Sequence, residues 1–366
     1  MRYVINFCLF FASACALSLN ACDCEDLVAE APGQIVTGTV TVATDNQSNP
    51  VEIAYKTQGK NDGRPVIVFA DGYLGINSWE FQQKAFGIKY HTISYDPIGY
   101  GLSSHTDPAD LDGVNGHTGY SFRQQATFLH KLLEELDPQG PITFVAVDTQ
   151  GQVGVWYATD YKNDPHAITK LVLESATLDE VVSDDPCSLA FLNVEQAQQL
   201  VGLYHVDPAM TLNLLFGGSF ATQSCPEVEQ TIMNLATDYA LTATPAIFER
   251  VFLGTLTESV AHLMADIEIP VLTLYGTSGD VHPISRRAVG ASFFGVSTGH
   301  DNPAIPGECT DCTSPSTEPF TDSRFITYTG HGTVVHLTSC RRFNRDLKDF
   351  VTGDDAACSI CLPSGI

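Results

Sequence analysis

Basic residues are in short supply: the 366-residue chain holds 18 Lys and Arg against 43 Asp and Glu, for a formal net charge of −25. A surface this acidic works against long-range attraction to nucleic acid or to an anionic lipid surface, so neither is an expected partner. After the first 21 residues no apolar run is long enough to span a membrane. No internal repeat is visible, which excludes solenoid and propeller architectures. What remains, 44% hydrophobic and 17% charged, is enough apolar material for a large buried core.

Residues 1–21, MRYVINFCLFFASACALSLNA, place one basic residue before an apolar stretch that closes in small residues, the pattern of a signal peptide. Secretion to an extracytoplasmic space is the expectation. Leu19-Asn20-Ala21-Cys22 also resembles a lipobox, so a lipid anchor at Cys22 is the alternative end of the mature chain. Of 11 cysteines, Cys8 and Cys15 leave with the signal, and nine remain. Two C-x-x-C pairs, Cys309/Cys312 and Cys358/Cys361, invite a zinc reading, but an exported chain and their wide separation favour disulfides. No metal and no cofactor are expected.

Two alternating stretches, 33–43 and 50–57, read as an antiparallel pair with one wet face, and Asn46 in the loop between them heads a glycosylation motif. A wholly apolar strand at 66–70 is followed by further strand-like runs at 90–95, 141–147, 168–173 and 270–275, with a last strand at 324–328. Strands apolar on both faces and separated by helical stretches mean a mostly parallel central sheet flanked by helices. Helical spacing predicts a helix over 118–136, ended by Asp137-Pro138, another over 283–294, and a closing one over 337–350. From 181 to 267 only helical patterns appear, broken by Pro186, Pro208, Pro226 and Pro245, which reads as an inserted helical cap. Cys187 and Cys225 could staple its first helices. The expected organisation is a signal at 1–21, a core in two parts at 22–180 and 268–352, the cap at 181–267 between them, and a cysteine-containing tail at 353–366.

In PITFVAVDTQGQVGVWYA, Pro141 to Ala158, a buried strand meets a small-residue helix with no loop to spare. That is the pattern of a nucleophile elbow, usually written G-x-S-x-G. Here the serine is absent. If the helix sets the register, Asp148 takes the nucleophile position and Gly151, Gly154 and Ala158 pack on the sheet; Gln150 then stands where glycine is usual. If Gly151 is that glycine, Thr149 is the nucleophile, and its β-methyl stiffens a strained turn. An aspartate attacks carbon to form an ester that a histidine-activated water then cleaves.

The order of VIVFADGYLG, YDPIGYGLSS, the elbow, YGTSGD and TGHG resembles the α/β-hydrolase fold across nearly all of the mature chain. More narrowly it resembles the secreted proline-iminopeptidase and tripeptidyl-aminopeptidase branch, whose cap and cysteine-bearing final helix lie in the same places. The resemblance implies His331 as the base, with His336, His282 and His300 behind it. It implies Asp280 as the acid, one residue later than the family places it, with Asp179 as the fallback. It also implies an oxyanion hole from Thr149 and the loop Asp71-Gly72-Tyr73-Leu74, where the usual His-Gly reads Asp71-Gly72, and a disulfide from Cys340 to the tail. Asp71 would bring a second carboxylate toward Asp148, against a developing negative charge. Trp79 and Glu80, in the same loop, read as core and surface residues rather than substrate contacts. Two functions follow: an exported hydrolase for a small molecule or short peptide, uncharged or cationic, and a non-catalytic relative that keeps the capped pocket for binding.

Overall fold

The apolar runs become strands, and the reason lies in how their consecutive side chains separate. In a computed structural model that describes residues 35–72, 74–178, 181–184, 192–216, 226–276, 324–328 and 330–353, Val66, Val68 and Ala70 enter one hydrophobic core. Ile67 and Phe69, between them in sequence, enter another. This run therefore feeds two cores, one on either face of the sheet, which is why it is apolar at every position.

Eight strands are formed: β1 (Val36–Thr44), β2 (Pro50–Gln58), β3 (Val66–Asp71), β4 (His91–Tyr95), β5 (Ile142–Val147), β6 (Ile168–Glu174), β7 (Val271–Gly276) and β8 (Arg324–Tyr328). Their spatial order is β1-β2-β4-β3-β5-β6-β7-β8. β1 and β2 are antiparallel to their neighbours, and every pair from β4 to β8 is parallel. The mostly parallel sheet expected from sequence is present.

The main helices are α1 (Glu80–Phe86), α2 (Phe122–Leu136), α3 (Gln150–Asp160), α4 (Val194–Tyr204), α5 (Pro208–Phe216), α6 (Pro226–Ala240), α7 (Pro245–Leu253), α8 (Val335–Thr338) and α9 (Cys340–Thr352). Helices α2 and α3 cover one face of the sheet, and α1 and α9 the other. Between β6 and β7 the described residues carry helices and one isolated bridge, Val182 to Leu192. Helix α2 starts four residues later than its periodicity predicts, because Tyr120 holds a left-handed angle (φ 67°). The Ser121 side chain then accepts from the Gln124 N–H as the cap. Asp137, also left-handed, closes its other end. The helix predicted over 283–294 lies outside the described residues, as do all cysteines except Cys340.

Polar contacts bind the stretch between β6 and β7 to the body, and two of them hold its helices α6 and α7. Arg250 on α7 pairs with both carboxylate oxygens of Asp112, each at 2.8 Å. Tyr239 on α6 donates to Asp96 Oδ1 (3.3 Å) and stacks on Tyr100. Asp96 follows β4 and also accepts from the backbone N–H groups of Ile76 (2.8 Å) and Leu102 (2.9 Å). A Cβ on either Gly75 or Gly101, both left-handed, would lie 2.3 Å from an Asp96 oxygen, so glycine is required on both sides of this carboxylate.

Candidate active site

At the end of β5 the chain turns within one residue. Asp148 has φ 55°, and Thr149 is already helical (φ −62°, ψ −23°) at the cap of α3. A non-glycine residue in this region is strained, and Asp tolerates it better than a β-branched residue does. The strain is held from two sides. The Asp148 N–H donates to the Glu174 carbonyl at the end of β6 (3.1 Å), and the Asp148 carbonyl accepts from Gly151 (3.0 Å) and Thr177 (3.2 Å). The carboxylate is 5% exposed, and its Oδ1 accepts from the Thr177 hydroxyl at 2.8 Å.

The small residues of α3 let the helix approach the sheet. A Cβ on Gly151 would lie 2.5 Å from Ala176 Cβ, and one on Gly154 would lie 2.8 Å from the Phe144 ring. The close approach therefore falls at Gly151, three residues after Asp148. Gln150 is accommodated differently: its buried side chain accepts from the Tyr95 hydroxyl (3.3 Å).

Gly72 stands against the elbow. A Cβ there would lie 2.9 Å from Thr149 Oγ1, 3.5 Å from the Val147 carbonyl and 3.8 Å from Asp148 Cβ. Gly72, Asp148 and Thr149 are thus brought together, while Tyr73 lies outside the described residues. Trp79 is wholly buried in the core, and Glu80 pairs with Lys84 at the surface.

His331 follows β8 by three residues, and its loop crosses the end of β7. A Cβ on Gly276 would lie 2.1 Å from the His331 carbonyl and 2.0 Å from that of Gly332. The imidazole is 8% exposed, and Nδ1 lies 3.0 Å from Thr338 Oγ1. The Thr338 hydroxyl also lies 3.2 Å from the Val334 carbonyl; when it donates there, its oxygen accepts from His331 Nδ1, the tautomer in which Nε2 can act as a base. Burial, and secondly Arg342, hold His331 below the usual histidine value. Asp280, Asp179, His282 and His300 lie outside the described residues.

The side chain of Asp71 does not point at the elbow unaccompanied. Asp71, Glu174 and His336 are each 0% exposed, with His336 Nδ1 2.9 Å from Glu174 Oε1 and Nε2 3.7 Å from Asp71 Oδ2. Asp71 Oδ1 also accepts from the Leu74 N–H (3.2 Å). The unfavourable carboxylate expected from sequence is therefore offset by an imidazole. Burial alone would lower the His336 value; the charge and hydrogen bond of Glu174, with Asp71, outweigh it and hold it above 6.5.

Thr177, Thr338 and Glu174 escaped the sequence reading. Glu174 left one signal: a charged residue ends a strand that is otherwise apolar over its last residues. Thr177 and Thr338 left none, since a threonine three residues past a strand or in a helical turn has no distinctive pattern. Chemically, the assembly offers a buried carboxylate on a strained turn with Gly72 against it, and a buried histidine three residues after β8.

Residues 65–278 match the family described as alpha/beta hydrolase fold. A cis-3-alkyl-4-alkyloxetan-2-one decarboxylase from Xanthomonas campestris pv. campestris is 28% identical over 115 residues, which cover 30% of this chain and 36% of the decarboxylase. A non-heme chloroperoxidase from Streptomyces lividans is 28% identical over 149 residues, covering 40% of this chain and 48% of the peroxidase. The matched stretch is thus about half or less of the length of these curated relatives. Among solved structures, a bromoperoxidase from Bacillus anthracis superposes with a TM-score of 0.67 at 20% identity, over 87% of this chain and 100% of the peroxidase, a likeness of fold.

Proposed function

We propose, for a chain that belongs to the alpha/beta hydrolase fold family, that it is an exported hydrolase in which Asp148 replaces the usual serine. The observation that carries this reading is the Asp148 backbone angle of 55°. The nucleophile of an elbow occupies that strained residue, and Thr149 is already helical. The packing of Gly151 and Gly154 on the sheet supports the same register.

The reaction runs in two steps. An Asp148 oxygen attacks an electrophilic carbon of the substrate, and the leaving group departs with the bonding pair, giving an aspartyl ester. His331 Nε2 then takes a proton from water, and the hydroxide adds to the ester carbonyl. The oxyanion so formed would be met by the Thr149 N–H and by a donor from the segment that contains Gly72, which stands against the elbow. Collapse expels an alkoxide, which takes its proton from His331, and the Asp148 carboxylic acid so formed loses its proton to solvent to regenerate the carboxylate. Asp280 would be the acid that steadies the imidazolium. The acidic surface favours an uncharged or cationic small molecule or short peptide.

The helices between β6 and β7, and the cysteine-bearing α9 after His331, support a likeness to the secreted proline-iminopeptidase branch. With it go removal of residues 1–21, a disulfide from Cys340 to the tail, and either free secretion or a lipid on Cys22. The relative named for oxetan-2-ones adds a strained cyclic ester to the substrates worth testing.

The test is turnover of ester, aminoacyl, epoxide, haloalkane and alkyl-oxetanone panels by the purified protein, with His331→Ala as control. Turnover in ¹⁸O-water places label in the Asp148 carboxylate if the reading holds. A covalent adduct on Thr149 would move the nucleophile by one residue. No turnover above the control would leave the fold as a binding protein.

A further inference from the structure

Strand register places two carboxylates on one face of the sheet beneath the elbow. Asp71 pairs with Val147, and Val147 pairs with Glu174. In parallel strands, paired residues point to the same face, so Asp71 and Glu174 flank the residue that precedes Asp148, about 10 Å apart at two strand spacings. His336 fills the gap between them. Its backbone N–H and its Nδ1 both donate to Glu174 Oε1, at 3.0 and 2.9 Å, and its Nε2 faces Asp71 Oδ2 at 3.7 Å. The ring is pinned in this plane: Trp79 stacks on it with centroids 4.1 Å apart, Phe343 meets it edge-on, and Gln82 Nε2 donates to its carbonyl (2.8 Å).

Both ends of this bridge belong to the candidate site. Asp71 immediately precedes Gly72, and the Glu174 carbonyl accepts from the Asp148 N–H. We propose that His336, bridging Asp71 and Glu174, is a positioning residue that sets the distance of the Gly72 loop from the elbow. The charge argument is simple. With the proton, two buried anions are drawn toward one cation across the strand between them; without it, a neutral ring separates two carboxylates that repel. Among the described residues, the ionisable groups facing the ring are Asp71 on β3 and Glu174 on β6; Cys340 on α9 is disulfide-bonded and does not titrate. Tyr239 lies within electrostatic reach of Asp71, and Tyr328 of Glu174.

The effect on turnover rests on the hydrolase reading, but the bridge itself does not. Imidazole ¹⁵N and backbone amide resonances of the full-length protein are followed through a pH titration, with His336→Gln assigning the ring signals. The expected result is a His336 midpoint above 6.5, with the amides of Gly72, Asp148 and Thr149 shifting at the same midpoint. Glu174→Gln should bring the His336 midpoint below that of the parent. A ring already neutral at pH 6, or elbow amides that do not follow the ring, overturns the proposal. If the protein turns over a substrate, kcat falls about 10- to 100-fold in His336→Gln with KM unchanged, and the parent kcat falls above the His336 midpoint. A change in KM alone counts against a positioning role. If no substrate is turned over, the hydrolase reading fails, and the coupled titration decides the bridge by itself.

Discussion

Gly72→Ala probes how closely the loop stands to the elbow. Gly72 does not hold a left-handed angle, so alanine can adopt its backbone, and among the described residues the obstacle closer than ordinary contact is Thr149 Oγ1 at 2.9 Å. The Val147 carbonyl at 3.5 Å and Asp148 Cβ at 3.8 Å are ordinary neighbours. Thr149 is β-branched at the start of a helix and has few rotamers to escape into, so the overlap is relieved by the loop moving back. Overpacking of this kind costs about 1–3 kcal/mol, which for a chain this long lowers Tm by a few degrees. Thr149→Ala removes the obstacle. In that background the same Gly→Ala change restricts only the unfolded chain and stabilises by about 0.4–1 kcal/mol. The sign of the substitution therefore reverses between the two backgrounds, a coupling of roughly 1.5–4 kcal/mol that urea unfolding of the four proteins measures directly. A penalty for Gly72→Ala that is the same with and without the Thr149 hydroxyl would refute the contact.

Glu258 bonds the Phe122 N–H at the start of α2, and burial pushes its carboxyl up to about 7 from 4.5. The native state therefore holds this proton more tightly than the unfolded chain. Its stabilising effect is complete below about 4.5 and is lost as pH rises through about 7. Glu258→Gln should flatten the stability profile over that window, seen as a difference in urea midpoints. Thr338→Val removes the hydroxyl that lies against His331 Nδ1; kcat should fall at least tenfold with KM unchanged, and Thr338→Ser should restore most of it. Tyr239→Phe takes one donor from buried Asp96 and should cost about 1–3 kcal/mol by chemical denaturation.

The sheet was legible because its central strands are buried on both faces, so runs such as Val66 to Ala70 and Ile142 to Val147 announce themselves without any knowledge of their partners. The elbow was legible for a related reason: strand, turn and helix are contiguous, and Gly151 and Gly154 record the helix packing in one short stretch. Helix α2 shows the limit of periodicity, since Tyr120 and Ser121 stop it where the apolar spacing continues. What could not be read is what distant residues do to each other. His336 reads as a spare candidate for the base, and Asp71 as a liability near the nucleophile. Their neutralising contact depends on the register of β3, β5 and β6 and on a helix that returns from the other end of the chain. Gln150 likewise looks like an error at the turn until Tyr95, from β4, is seen to donate to it.

The carboxylate of Asp96 bears on whether the inserted helices behave as an exchangeable module. It is shared between the backbone after β3, the backbone after β4 and a tyrosine of α6, and two glycines are fitted around it. A graft that replaced the insert with that of another protein would need a donor at the position of Tyr239. Without one it would leave a buried acid short of a partner in the body of the protein, a few residues from the Gly72 loop. Directed evolution of new specificity should therefore find substitutions easily on the outer helices α4 and α5, and rarely at position 239 without a compensating change at 96.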